Sequence, residues 1–220
     1  MTAPTLYIGN KNYSSWSMRP WLALKWAGIA FEERVIQLGG MGYGKSQIGE
    51  ILAVSPSGRV PALQVGDTTI WDSLAICEWA AEQMPDLWPL QPEVRAVARS
   101  AAAEMHSGFA ALRRDGSMNI RRRADARDWP EDTRGDVARL QELWGALRGT
   151  YGAGGPYLFG RRSITDAMFA PVCTRLRTYD VKIDAVAQAY CATIFADAVF
   201  LEWERGALAE TWTIPQSDAH

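Results

Sequence analysis

The residues best suited to chemistry in this chain sit in one run, Ser14-Ser15-Trp16-Ser17-Met18-Arg19. The run follows a short apolar segment, Leu6-Tyr7-Ile8, and leads into a helical pattern of Pro20, Trp21, Leu22, Leu24, Lys25 and Trp26 that stops at Gly28. Ser14 therefore falls just before a helix N-terminus, where unpaired N–H groups and the positive dipole end favour an anion. A serine hydroxyl there can donate to a thiolate sulfur. A free thiol has a pKa of ~8.5, so only a few per cent is ionised at neutral pH. Lowering that value by ~2 units makes the thiolate dominant and takes about 2.7 kcal/mol of preferential stabilisation. One hydroxyl, the helix end and Arg19 together supply energy of that order. Capping is serine's commonest task at such positions, so the residues alone leave open that Ser14, Ser15 and Ser17 are loop and N-cap serines.

A second candidate is Asp72-Ser73, which opens a helix running to about Met84. Either residue can be an ordinary N-cap, and a helix N-terminus is also a ready anion site. Further along, Met105, His106, Phe109, Arg113 and Met118 belong to or follow a long helical stretch, Glu93 to Arg114. Met105 and Phe109 are four apart and so share a helix face, although most such pairs are core. His106 suits general acid/base work or, more commonly, a structural role with its hydrogen bonds satisfied. The arginines Arg121-Arg122-Arg123 are followed by Asp125, Asp128, Glu131 and Asp132, which reads as a solvated, charge-mixed loop. No histidine–carboxylate spacing argues for a metal. The chain has no G-x-x-x-x-G-K-[ST] loop, no G-x-G-x-x-G fingerprint and no G-x-S-x-G elbow.

The elements that must position these residues follow from the hydrophobic pattern. Phe31 to Ile36 reads as a second strand, so strand, helix and strand predict a parallel pair with a crossover helix. Pro20 is tolerated in a first turn, which places that helix start near Ser17. Gln37 to Gly44 is a glycine-rich loop, Gln47 to Val54 holds a short helix, and Ser55-Pro56-Ser57-Gly58 is a turn. Ala62 to Val65, Gly66-Asp67 and Thr69 to Trp71 form an antiparallel hairpin. Pro85, Pro89 and Pro92 mark a linker, after which the pattern is helical throughout. Helices are expected from Pro130 to about Leu147, from Ser163 to about Tyr179, near Ala185 to Thr193 and from Ala198 to Leu208. Ser163-Ile164-Thr165-Asp166 has the spacing of a capping box. The fold class is thus α/β plus all-α. A thioredoxin-like βαβαββα domain (1–84) and a linker (85–92) are followed by an α-helical bundle domain (93–220).

Composition bounds the function. The 220 residues are 48% hydrophobic and 22% charged, with 23 basic and 25 acidic side chains and a net charge of -2. That balance points to neither nucleic acid nor an anionic membrane as partner. No apolar run approaches the ~20 residues needed to span a bilayer. The N-terminus shows no basic-then-apolar leader, and the odd cysteine count (Cys77, Cys173, Cys191) fits buried free thiols in a reducing, cytoplasmic setting. Ten tryptophans indicate aromatic packing.

Three segments in order resemble the cytosolic glutathione transferases: Ser14 to Arg19 after the first strand, Gly58-Arg59-Val60-Pro61-Ala62-Leu63 before the third, and Asp72-Ser73-Leu74-Ala75-Ile76 opening a helix. The box at Ser163 to Asp166 is similar to one in that family's C-terminal domain. The first segment looks closest to the zeta and related bacterial classes, whose pattern is S-S-C-S-W-R. The resemblance implies a transferase that activates the glutathione thiolate with Ser14 for addition to a small hydrophobic electrophile, as in detoxification. It also admits a glutathione-dependent isomerase of the maleylacetoacetate type, a peroxidase, or a non-catalytic binding module. It implies glutathione contacts from Ser14, Ser15, Arg19, Arg59, Val60, Asp72 and Ser73, with a cis Val60–Pro61 bond presenting the Val60 main chain. Trp16, Met105, His106, Phe109 and Arg113 would line the second-substrate pocket, and family members are usually homodimers. Two departures matter. Trp16 stands where the pattern has cysteine, and the cysteine nucleophile of omega-type relatives falls at Ser14, so exchange through a protein cysteine is not expected. The arginine that grips substrate in zeta-type isomerases falls, by counting from Asp166, at Thr178, with Arg175 and Arg177 close by.

Overall fold

The computed structural model describes residues 3–39 and 41–218. Met1, Thr2, Gly40, Ala219 and His220, which the sequence assigns to the N-terminal run, the glycine loop and the end of the helical half, lie outside the described residues.

Strand β1 (Thr5–Gly9) carries Leu6 and Ile8, both fully buried, and pairs in parallel with β2 (Glu32–Ile36) through the crossover helix α1 (Ser15–Trp26). A four-residue helix α2 (Gly49–Leu52) follows the glycine loop. Strands β3 (Ala62–Val65) and β4 (Thr68–Trp71) form the hairpin, and β3 runs antiparallel to β1. The sheet order is β2-β1-β3-β4, and α3 (Ser73–Gln83) closes the unit. A βαβ and a ββα joined in this order make a thioredoxin-like domain.

The remainder is helical: α4 (Pro92–Ser107), α5 (Ala110–Asp115), α6 (Glu131–Tyr151), α7 (Ile164–Thr178), α8 (Ala185–Ala196), α9 (Ala198–Ala209) and the short α10 (Pro215–Asp218). The core helix α7 starts with the expected box: the Ser163 side chain accepts from the main chain at Asp166, and Asp166 accepts the Ser163 N–H at 2.7 Å. One hydrophobic core runs through both halves, joining Leu22 and Ile76 to Ala102, Trp144 and Phe169. Helix α1 is central to it, packed on both α3 and α7, which is why it is buried on nearly every face instead of along one stripe. Among the described residues no single helix is long and apolar enough to cross a membrane; α8 and α9 reach that composition only as a pair bent by 74°.

Four expectations need correction. Helix α1 begins at Ser15, not near Ser17, so Pro20 lies in its second turn and simply forgoes one hydrogen bond in a helix already held by packing. The stretch from Glu93 to Arg114 is two helices. Gly108 is extended, and a Cβ there would come within 2.7 Å of the Glu104 carbonyl; Phe109 follows at φ 57°, in the left-handed region. Helix α6 extends through Tyr151. Arg121 and Arg122 are half-buried and donate to main-chain carbonyls of residues 210–218, so they are part of an interface, not of a solvated loop.

Candidate active site

Ser14 occupies the N-cap position of α1 without capping it: its side chain accepts no bond from the first turn. Its hydroxyl instead donates to Ser17 Oγ at 2.8 Å, and the same oxygen accepts the Gly9 N–H at 3.1 Å. Ser14 is nearly buried (7% exposed). This separates two roles that the sequence left mixed: Ser17 ties the helix start to the end of β1, and Ser14 stands at the helix N-terminus with the capping task unassigned, the Ser15 N–H bonding instead to the Tyr13 carbonyl at 3.0 Å. Ser15 is engaged from the other half, accepting from Arg175 Nη2 at 3.1 Å.

The opening of α3 is arranged the opposite way. Asp72 caps the helix, accepting from Leu74 N–H at 2.8 Å and Ala75 N–H at 3.4 Å. It does so at φ 80°, a conformation uncommon for a residue with a Cβ, of the kind that clusters at ligand clamps and costs of order 1–3 kcal/mol. Ser73 is thereby released: it is 1% exposed, and its Oγ has no hydrogen-bond partner among the described residues. Val60–Pro61 is cis, and Val60 precedes the paired residues of β3. Arg59 lies on the surface with its Nε on Ser46 Oγ, 3.1 Å away.

Between the halves, Trp16 is the exposed element, and two guanidinium groups lie against its indole: Arg19 at 4.3 Å and Arg113 at 5.0 Å from the ring centroid. His106 meets the same ring edge-on at 5.2 Å, and its Nε2 lies 3.3 Å from Asp72 Oδ2. The expected structural histidine is only half satisfied, because Nδ1 is buried without a partner among the described residues. Burial pushes the His106 pKa down, with Arg19 and Arg113 adding to this while Asp72 opposes it. Met105, Phe109 and Met118 are core residues, and the break at Gly108 takes Met105 and Phe109 off a common helix face. The accessible part of the cleft is therefore aromatic and cationic, not the apolar pocket expected from these methionines and phenylalanine.

Sequence reasoning named Arg175 only as a neighbour of the counted position. Counting from the capping box leads to Thr178, but that hydroxyl bonds the Asn119 carbonyl, while Arg177 faces Glu204. Arg175 is the one that reaches α1. A signal was present: it is a charge on the buried face of an otherwise apolar helix. Arg113 and Arg175 have local work, donating to the Gly108 and Gly116 carbonyls respectively. Arg19 does not. It is fully buried, and Nε, Nη1 and Nη2 all lack a partner among the described residues. Burial, with Arg113 and Arg175 nearby, pushes its pKa down to about 9; burial and Arg113 bring Arg175 to about 10. Three guanidiniums thus converge on a site short of negative charge.

Residues 13–83 match the family model described as glutathione S-transferase, N-terminal domain. The chain is similar to the cytosolic glutathione S-transferases. Among curated relatives, it is 36% identical over 114 residues to maleylacetoacetate isomerase of Rattus norvegicus, a match covering 50% of this chain and 50% of the relative. The match thus spans about half the length of that relative. Two solved structures extend the likeness over nearly the whole chain. A glutathione transferase homolog from Burkholderia gl BGR1, solved with bound glutathione, is 25% identical with a TM-score of 0.70, covering 95% of this chain and 100% of that one. The theta class glutathione S-transferase of Xanthomonas axonopodis pv. citri, also with glutathione bound, is 25% identical with a TM-score of 0.67, covering 97% and 100%. Within this fold, Ser14, Val60 and Ser73 lie at the start of α1, the entry to β3 and the start of α3. Two cavities of about 330 and 280 Å3 lie elsewhere, in the helical half and beside the linker prolines, and neither is lined by these residues.

Proposed function

We propose that this chain is a glutathione-dependent transferase in which residues 1–84 hold glutathione and residues 93–220 complete the site for the second substrate. The observation that carries the reading is the freedom of Ser14. It is placed at a helix N-terminus, it does not cap, and its hydroxyl needs only to turn from Ser17 Oγ to donate to a sulfur. Unpaired first-turn N–H groups and the helix dipole supply the rest of the thiolate stabilisation. The γ-glutamyl carboxylate is received by Ser73, whose buried Oγ is otherwise unsatisfied, and the cysteinyl main chain pairs with Val60 as an added strand does. Asp72, held by its cap and by His106, offers its outer oxygen to the γ-glutamyl ammonium.

A second reading is favoured by the arginines. The rat relative is named for isomerisation of a carboxylate-bearing compound, and such a substrate suits Arg113 and Arg175 better than a neutral hydrophobe does. The two readings share the thiolate and differ in the acceptor. Isothermal calorimetry with reduced glutathione tests the first step. Parallel turnover of a neutral haloarene and of a cis-ene-dione carboxylate then separates transferase from isomerase. No heat of binding at millimolar glutathione overturns both. The family's homodimeric habit and cytoplasmic location remain part of this proposal, to be checked by sedimentation and fractionation.

A further inference from the structure

Residues 10–13 carry the chain from β1 to Ser14. The loop's own bonds tie the Tyr13 and Ser14 N–H groups back to the Asn10 carbonyl, at 3.1 and 2.8 Å. Its middle is held from outside. The Glu210 carboxylate accepts two consecutive N–H groups, Lys11 on Oε1 at 2.6 Å and Asn12 on Oε2 at 3.0 Å. Such a two-pronged, charge-assisted acceptor fixes the orientation of both peptide planes. The Lys11 carbonyl accepts Trp203 Nε1 at 3.1 Å, so the loop is pinned to α9 as well. Gly206 leaves room for this: a Cβ there would meet the Lys11 side chain at 2.7 Å.

The segment that bears Glu210 is itself anchored. Arg121 donates to the carbonyls of Glu210 and Trp212, and Ile214 is fully buried in a small separate core with Tyr13 and Leu38. Asp218 accepts the Tyr13 hydroxyl at 3.0 Å. Residues some two hundred positions apart in sequence thus clasp the loop on both sides of its turn.

We infer that residues 210–218 form a strap over the Ser14 loop, with Glu210 as a positioning residue that sets where the Ser14 hydroxyl points. The functional half of this inference rests on the proposed role of Ser14; the clamp itself does not. Removing the carboxylate leaves the Lys11 and Asn12 N–H groups without their acceptor and frees two peptide planes of the loop that leads into Ser14. A small displacement of a hydroxyl aimed at a sulfur is expected to cost rate more than affinity.

Glu210→Ala and Glu210→Gln test this, read by amide exchange and by kinetics on the full chain. In Glu210→Ala, exchange at Lys11 and Asn12 should accelerate at least about tenfold while the α7 amides keep the parent rate. With glutathione, kcat should fall by about tenfold with KM within about threefold, and the pH profile for thiolate formation should move upward. Glu210→Gln, which keeps one acceptor oxygen, should fall between the two. Unchanged exchange at Lys11 and Asn12 overturns the clamp. Accelerated exchange with a parental pH profile and kcat overturns the positioning role and leaves a purely structural strap. If the parent itself takes up no glutathione, the proposed function and the positioning role both fail, and the exchange rates still decide the clamp.

Discussion

Ser14 and Ser17 share one hydrogen bond, 2.8 Å between hydroxyl oxygens, and it is Ser14 that donates. A hydroxyl that donates to a neighbour with a proton of its own is poised to change partners. Ser14→Ala removes the donor to the sulfur while leaving Ser17 its bond from Gly9. Loss of one hydrogen bond to a charged group is worth roughly 1.5–3 kcal/mol, so kcat/KM for glutathione-dependent turnover should fall about 10- to 100-fold. Ser17→Ala should behave differently. It orphans the buried Gly9 N–H, and urea denaturation should show about 1–3 kcal/mol of lost stability. Equal kinetic losses in the two variants would assign the donor role wrongly.

Arg19 should be replaceable without harm to the fold. Its guanidinium is buried, lacks partners among the described residues and faces two other arginines. Removing an uncompensated buried charge in favour of a flexible apolar side chain is commonly neutral or stabilising. Arg19→Met is expected to leave unfolding free energy unchanged or raise it by up to ~2 kcal/mol, while weakening binding of carboxylate ligands in the cleft several-fold. A clear loss of stability measured by denaturant titration would mean that the guanidinium contributes more to packing than its missing bonds suggest.

His106 should remain neutral below the pH at which a free histidine charges. Burial and two arginines lower its pKa, while Asp72 raises it. The sign for stability follows. A histidine whose folded pKa is depressed contributes stability that is fully present above ~6.5 and is lost as pH falls through the folded value. NMR titration of the imidazole should give a midpoint below 6.5 in the parent. Asp72→Asn should lower it further, because the amide keeps the helix cap and tolerates the positive φ but removes the charge. An upward move in that variant would contradict the Asp72 contact.

What the sequence disclosed depended on range. Ser14, Asp72–Ser73 and the box at Ser163 were legible because capping and helix-end chemistry act over three or four residues. The order β-α-β-α-β-β-α was legible because turn clusters and apolar runs are local too. Phe109 was not, since only the close approach of Gly108 to Glu104 shows that the long helical stretch must turn there. Arg175 was visible only as a neighbour of Thr178, and Glu210 not at all: they act on Ser15 and on Lys11 and Asn12 across 160 and almost 200 residues, and no periodic pattern reports such a meeting.

The box at the start of α7 makes a last, opposite pH prediction. Asp166 is fully buried and accepts from the Ser163 N–H, the Ser163 hydroxyl and the Leu158 N–H. These donors hold its pKa down, but burial outweighs them and pushes it up to about 6 from 3.8. The folded state then keeps this proton more tightly than the unfolded chain does. Its contribution to stability is present below about 4 and is lost as pH rises through about 6, the reverse of an acid held by a salt bridge. Asp166→Asn should flatten that part of the stability profile. Asp166→Ala should cost about 2–4 kcal/mol at neutral pH, by losing half of the capping box and stranding buried N–H groups. Denaturant titrations of parent and variants between pH 4 and 7 read both effects, and a parent profile that climbs through this window with the Asp166→Asn profile parallel to it would show that the carboxyl is ionised throughout.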